Sequence, residues 1–102
     1  MIFVIATIEL APGKRDEFLK HFHEIVPQVL NETGCIEYAP TVDVSTNIAA
    51  QDGVRADVVT IIEKWADIDA LEMHLVAEHM VEYRKKVSAH VQSASLQIVE
   101  PA

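Results

Sequence analysis

A chain of 102 residues, half of them apolar and only three of them glycine, holds enough material for one hydrophobic core and too little for a second domain. Its formal net charge of −8, with no basic run longer than Arg84-Lys85-Lys86, argues against a surface that tracks phosphates, so no nucleic-acid partner is expected. Cys35 stands alone, which excludes an intrachain disulfide, and no apolar run approaches a membrane span; a soluble, unprocessed cytoplasmic domain with no membrane partner is expected.

Residues 1–10, MIFVIATIEL, read as a strand rich in β-branched side chains, closed by the turn APGK. Residues 14–32 carry Phe18, Phe22, Ile25 and Val29 at helical spacing. Pro27 lies inside that helix and removes a backbone donor, so a kink or a restarted final turn is expected.

Residues 35–44 and 57–65 read as two more strands, joined by the polar loop STNIAAQDGVRA. Asp67 can cap a helix from about 68, with Asp69 and Glu72 in its first turns. The region 68–91 has no glycine or proline, yet its apolar residues change phase near Ala77, so it is either one helix or two meeting at an angle. SLQIVE at 95–100 closes the chain as a strand. The order β-α-β-β-α-β predicts a single α+β domain over 1–102, a ferredoxin-like antiparallel sheet with helices on one face.

Both alternating sets of the first strand, Phe3-Ile5-Thr7 and Ile2-Val4-Ala6-Ile8, are largely apolar, and the strand at 57–65 repeats this with Val59-Ile61 and Val58-Ile62. Two helices cover one face of a four-stranded sheet, and a water-facing second face would be polar. A second copy of the chain is the cover available, so a homodimer packed sheet to sheet is expected.

The chemistry-bearing residues gather in TIIEKWADIDALEMHLVAEHM, residues 60–80. Zinc proteases carry two histidines four apart on a helix with a glutamate after the first. Here His74 and His79 are five apart with Leu75 in the glutamate position, and an unbroken helix would turn the second ring by ~140° from the first. No metal is expected on that geometry, and His79→Ala is expected to matter little. Glu63 and Trp65 share a strand face with Val59 and Ile61, so a buried Glu63 needs a donor, and His74 is the candidate. Met80 and Tyr83, three apart, fit packing or a cavity wall. A purely structural reading stays open at this point: Glu63 at an exposed strand end, Trp65 as core, His74 as a satisfied buried histidine.

The runs NETGCIEYAPTVDV (31–44) and EKWADIDALEMHLVAEHM (63–80) resemble the antibiotic biosynthesis monooxygenase domain. The likeness is carried by Glu32, Gly34, Cys35, Tyr38, Glu63, Trp65, Ala70, Leu71, His74 and His79. It implies a dimeric α+β barrel with a pocket between sheet and helices on which Glu63, Trp65 and His74 converge. It also implies oxidation of a small quinol or phenol by O₂ without flavin or metal, with His74 as base or donor and Glu63 orienting it, and Thr7, Glu63, Trp65, Met80 and Tyr83 toward the substrate. No cofactor is expected, since no glycine-rich phosphate loop is present. The superfamily's haem-degrading branch carries an Asn on the first strand where this chain has Thr7, which weighs against haem. Two other functions are compatible with the same pocket: a non-catalytic, stress-associated small-molecule binder, or an isomerase of a small keto compound.

Overall fold

A computed structural model describes residues 1–102. The chain runs β1 (Ile2–Leu10), α1 (Arg15–Leu30), β2 (Cys35–Thr41), β3 (Val58–Trp65), α2 (Ile68–Leu75), α3 (Glu78–Val87) and β4 (Val91–Val99). The four strands form one antiparallel sheet in the order β2-β3-β1-β4, with the α+β ferredoxin-like arrangement read from the sequence. Register opposes Ala6 to Ile61 and to Leu96, so these three side chains share the helix-covered face.

The core is the inner sheet face, with Val4, Ala6, Ile8, Val59, Ile61 and Trp65, against the stripe Phe18-Phe22-Ile25-Val29 of α1. Phe18 and Phe22 are fully buried, and each contributes roughly 1.5–3 kcal/mol by leaving water. Helix α1 runs unbroken through Pro27, without the expected restart. Pro27 is on the exposed side of the helix, so the carbonyl that loses its donor faces solvent rather than the core.

The region 68–91 divides into α2 and α3. Asp67 caps α2 by accepting from the Ala70 N–H at 2.8 Å, and the chain turns extended at Ala77 (φ −61°, ψ 142°) before α3 begins. The phase change near Ala77 was the trace of this break. Strand β4 starts at Val91, earlier than expected, because VQSAS lacks apolar alternation and is held by pairing with β1; Ser93 Oγ donates to Glu9 at 2.8 Å. Strand β2 ends at Thr41, since Asp43 leaves the sheet to clasp Arg55 through Nε at 2.8 Å and the outer guanidinium nitrogen at 2.9 Å. That pair closes the base of the 45–56 loop, and the guanidinium holds the Asp43 carboxyl down at about 2.

On the outer face, Ile5, Ile62 and Val99 are exposed. The Lys64 ammonium lies over the Phe3 ring at 5.3 Å, closing one side of this apolar patch with charge. No helix is long and apolar enough to cross a membrane.

Candidate active site

Between the inner sheet face and helices α2 and α3 lies a cavity of about 510 Å³. Its floor is apolar, with Ala6, Ile8 and Ile61 from the sheet and Phe18 from α1. Its polar wall is Glu63, His74, Tyr38, Tyr83 and Arg84, with Met80 beside them. Leu96 of the edge strand β4 lines it while remaining half exposed, so that strand borders the open side.

His74 lies in the last turn of α2 and is 2% exposed. Its ring sits against Trp65 (centroids 4.7 Å) and edge-on to Tyr38 (5.3 Å). Its Nδ1 meets the Glu32 carboxylate at 2.9 and 3.1 Å. A carboxylate accepts only, so Nδ1 carries the proton and Nε2 is left as the unprotonated nitrogen of the neutral ring. Burial lowers the His74 pKa, outweighing the opposing pull of Glu32, so the ring is neutral at pH 7.

Two expectations are corrected here. The partner of His74 is Glu32, not Glu63; the Glu63 carboxylate instead accepts from the Trp65 indole N–H at 2.9 Å. Strand alternation brings the side chains of residues 63 and 65 to one face, and the indole reaches back along it before any group on α2 does. His79 is also not carried away from His74. Its Nε2 lies 2.7 Å from the same Glu32 carboxylate, because the break at Val76–Ala77 resets the helical phase on which the ~140° separation rested.

The other anticipated residues divide. Met80 and Tyr83 line the cavity with Glu63 and His74. Trp65 is fully buried and backs the imidazole rather than bounding the cavity. Thr7 belongs to the opposite sheet face, paired with Thr60 and Ser95, and does not reach the cavity. Arg84 had no signal beyond membership of a short basic run; its guanidinium donates to the Leu75 carbonyl at 2.7 Å, satisfying the C-terminal end of α2 at the cavity edge.

Glu63 is 5% exposed, and burial pushes its carboxyl up to about 7, against the lowering effect of the Trp65 hydrogen bond. Burial also raises Tyr38 and Tyr83, which stay protonated donors. Burial and the nearby Glu32 and Glu63 raise the Cys35 thiol to about 11, which keeps it an unreactive thiol.

Residues 1–86 match the family model described as antibiotic biosynthesis monooxygenase. The chain belongs to that family. It is 39% identical over 103 aligned residues to the Escherichia coli K12 protein named Probable quinol monooxygenase YgiN, across 99% of this chain and 98% of that one. Among solved structures it superposes on PA3566 from Pseudomonas aeruginosa with a TM-score of 0.81 at 25% identity, covering 99% of this chain and 93% of the other. A structure of an antibiotic biosynthesis monooxygenase gives the same TM-score and identity over 100% and 99% of the two chains.

In this member of the antibiotic biosynthesis monooxygenase family, the stretch Glu32-Thr33-Gly34-Cys35 acquires a physical reading. Gly34 has φ +83°, and a Cβ there would lie 2.6 Å from the Ala70 Cβ. Only glycine lets the turn press against α2, and its carbonyl accepts from Ala66 N–H at 2.8 Å. That close approach carries Glu32 to His74. Gly34→Ala is therefore expected to cost about 1–3 kcal/mol and to pull Glu32 away from the imidazole; urea unfolding measures the first effect and the His74 ring resonances in NMR the second.

Proposed function

We propose that this chain is a cofactor-independent monooxygenase of a small quinol or phenol, with His74 as the base that opens the reaction. The observation that carries this reading is a neutral imidazole at the wall of an apolar cavity, its Nδ1 committed to Glu32 and its Nε2 without a hydrogen-bond partner in the chain. Family membership and the name of the Escherichia coli relative support monooxygenase chemistry.

The substrate hydroxyl gives its proton to Nε2, and the resulting phenolate is electron-rich enough to reduce O₂ directly. The imidazolium so formed is stabilised across Nδ1–H by the Glu32 carboxylate. For a hydroquinone the balance is one quinol and one O₂ to one hydroxyquinone and one water; the substrate supplies all four electrons. Glu63, half protonated near pH 7, and the Tyr38 and Tyr83 hydroxyls are donors for the developing oxyanion. A cavity of about 510 Å³ accepts one or two fused rings. Oxygen electrode measurements with a panel of one- and two-ring quinols test the reading: uptake above the rate of autoxidation, with one atom of ¹⁸O₂ in the product, is expected. Failure across the panel with a folded protein would overturn it.

The working unit is a homodimer in the cytoplasm, with the Ile5-Ile62-Val99 patch covered by a second copy. Ile5 and Ile62 are 42% and 36% exposed in the single chain, at the centre of the sheet where a soluble monomer would carry polar side chains. Ultracentrifugation at micromolar concentration should give twice the chain mass, and Ile62→Asp should dissociate it. A folded monomer in the unsubstituted chain would contradict the assembly.

A further inference from the structure

Helix α1 leads into a turn carrying Glu32, α2 carries His74 in its last turn, and α3 begins with His79 one residue inside it. Three potential ligand atoms, a Glu32 carboxylate oxygen, His74 Nδ1 and His79 Nε2, lie within 4.8 Å of one another. We infer that these three residues form a binding site for one divalent transition-metal ion of the zinc class, on the side of His74 that faces away from the substrate cavity. The inference does not depend on the monooxygenase reading.

The chemistry of the set fits that class. Two imidazoles and one carboxylate are the ligands of three-coordinate protein sites that leave a fourth position to water, and bonds of about 2.0–2.1 Å in a tetrahedron place donors about 3.4 Å apart. The carboxylate stands 2.9 Å from His74 Nδ1 and 2.7 Å from His79 Nε2, and the two nitrogens lie within 4.8 Å of each other, so the three donors already surround a space that small side-chain shifts adjust to an ion. Hard cations such as Mg²⁺ and Ca²⁺ prefer all-oxygen ligands and are disfavoured here.

Burial and access also fit. The His74 side chain is 2% exposed, Glu32 14% and His79 20%, which shields the donors while leaving a path. Glu32 borders a surface cleft that also holds Asp67 and Asp69, whose negative charge draws cations inward. His79 borders a second cleft between α1 and α3. Outer support is in place: the His74 ring is fixed between Trp65 and Tyr38, and Gly34 fixes the turn that carries Glu32. Bound metal takes the Nδ1 lone pair, shifts the ring proton to Nε2 and ties three segments together, so the metal-loaded chain is a form in which His74 does not serve as a base.

The test uses the untagged chain after chelator treatment, titrated with Zn²⁺ and with Co²⁺ by calorimetry and visible absorption at neutral pH. One ion per chain, the intense d–d bands of low-coordinate Co²⁺, and a rise in melting temperature with zinc are expected. Glu32→Gln and His79→Ala should each weaken binding at least about 10-fold, with the exposed His23→Ala unchanged as control. Binding should also weaken as pH falls, since protons compete for the same nitrogens. No stoichiometric binding, or equal affinity in His79→Ala, would overturn the site; His79 is peripheral enough that its removal leaves the fold intact, so that arm decides even if Glu32→Gln unfolds.

Discussion

Replacing His74 by glutamine is expected to lower quinol-dependent oxygen uptake by about 10²–10⁴-fold, the usual consequence of losing a general base. Glutamine is preferred to alanine because the ring fills fully buried space between Trp65 and Tyr38, and truncation there would confuse loss of chemistry with loss of packing. The loss should fall on kcat more than on KM, since the proton is transferred in the transition state while the apolar walls still bind the ring. Glu32→Gln should lower the rate by less, because an amide oxygen still accepts from Nδ1–H but brings no charge to balance the imidazolium. His79 shares that carboxylate at 2.7 Å, so His79→Ala is expected to move the rate as well, contrary to the reading of an unbroken helix. Activity equal to the unsubstituted chain in the His74 variant would remove the histidine from the mechanism.

The second large effect is on stability against pH and belongs to Glu63. Its carboxyl is raised by burial from 4.5 to about 7. Between those values the unfolded chain has released the proton and the folded chain keeps it, so the unfolded state binds fewer protons and stability falls as pH rises. The stabilisation is fully present below about 4.5, declines through about 7, and is absent above, a change on the order of 3 kcal/mol. Glu63→Gln keeps the shape and an oxygen for the Trp65 indole but cannot ionise. The variant should match the unsubstituted chain near pH 4.5 and exceed it by that amount at pH 8. Urea unfolding of both at fixed protein concentration across this range checks it; parallel curves would show that Glu63 titrates as an exposed carboxylate does.

The fold was legible because it rests on periodicity. Phe18, Phe22, Ile25 and Val29 mark one helix face, and the double apolar alternation of β1 marks a central strand. The site was legible in its membership and less so in its pairings. Glu63, His74, Met80 and Tyr83 do meet at one cavity. Which acid serves which donor depends on contacts between residues 42 positions apart, as Glu32 and His74 are, and no local spacing encodes that. The signal for Glu32 was present in the turn ETG, where a glycine at positive φ permits the approach. The position of His79 turned on a two-residue interruption between α2 and α3, which the change of apolar phase announced without giving its angle. Arg84 was hidden because its role, closing the carbonyl end of α2, exists only once that helix stops at Leu75.

The central claim is that a neutral His74 takes the substrate proton, and the pH dependence of kcat/KM tests it most directly. Burial holds the His74 pKa below the usual 6.5, so kcat/KM should rise with pH along an acidic limb whose midpoint lies under that value, and then decline through about 7 as the Glu63 donor ionises. The same limb should be missing from the residual activity of His74→Gln, after subtraction of autoxidation. An identical acidic limb in both proteins would assign the titrating base to another group and contradict the claim.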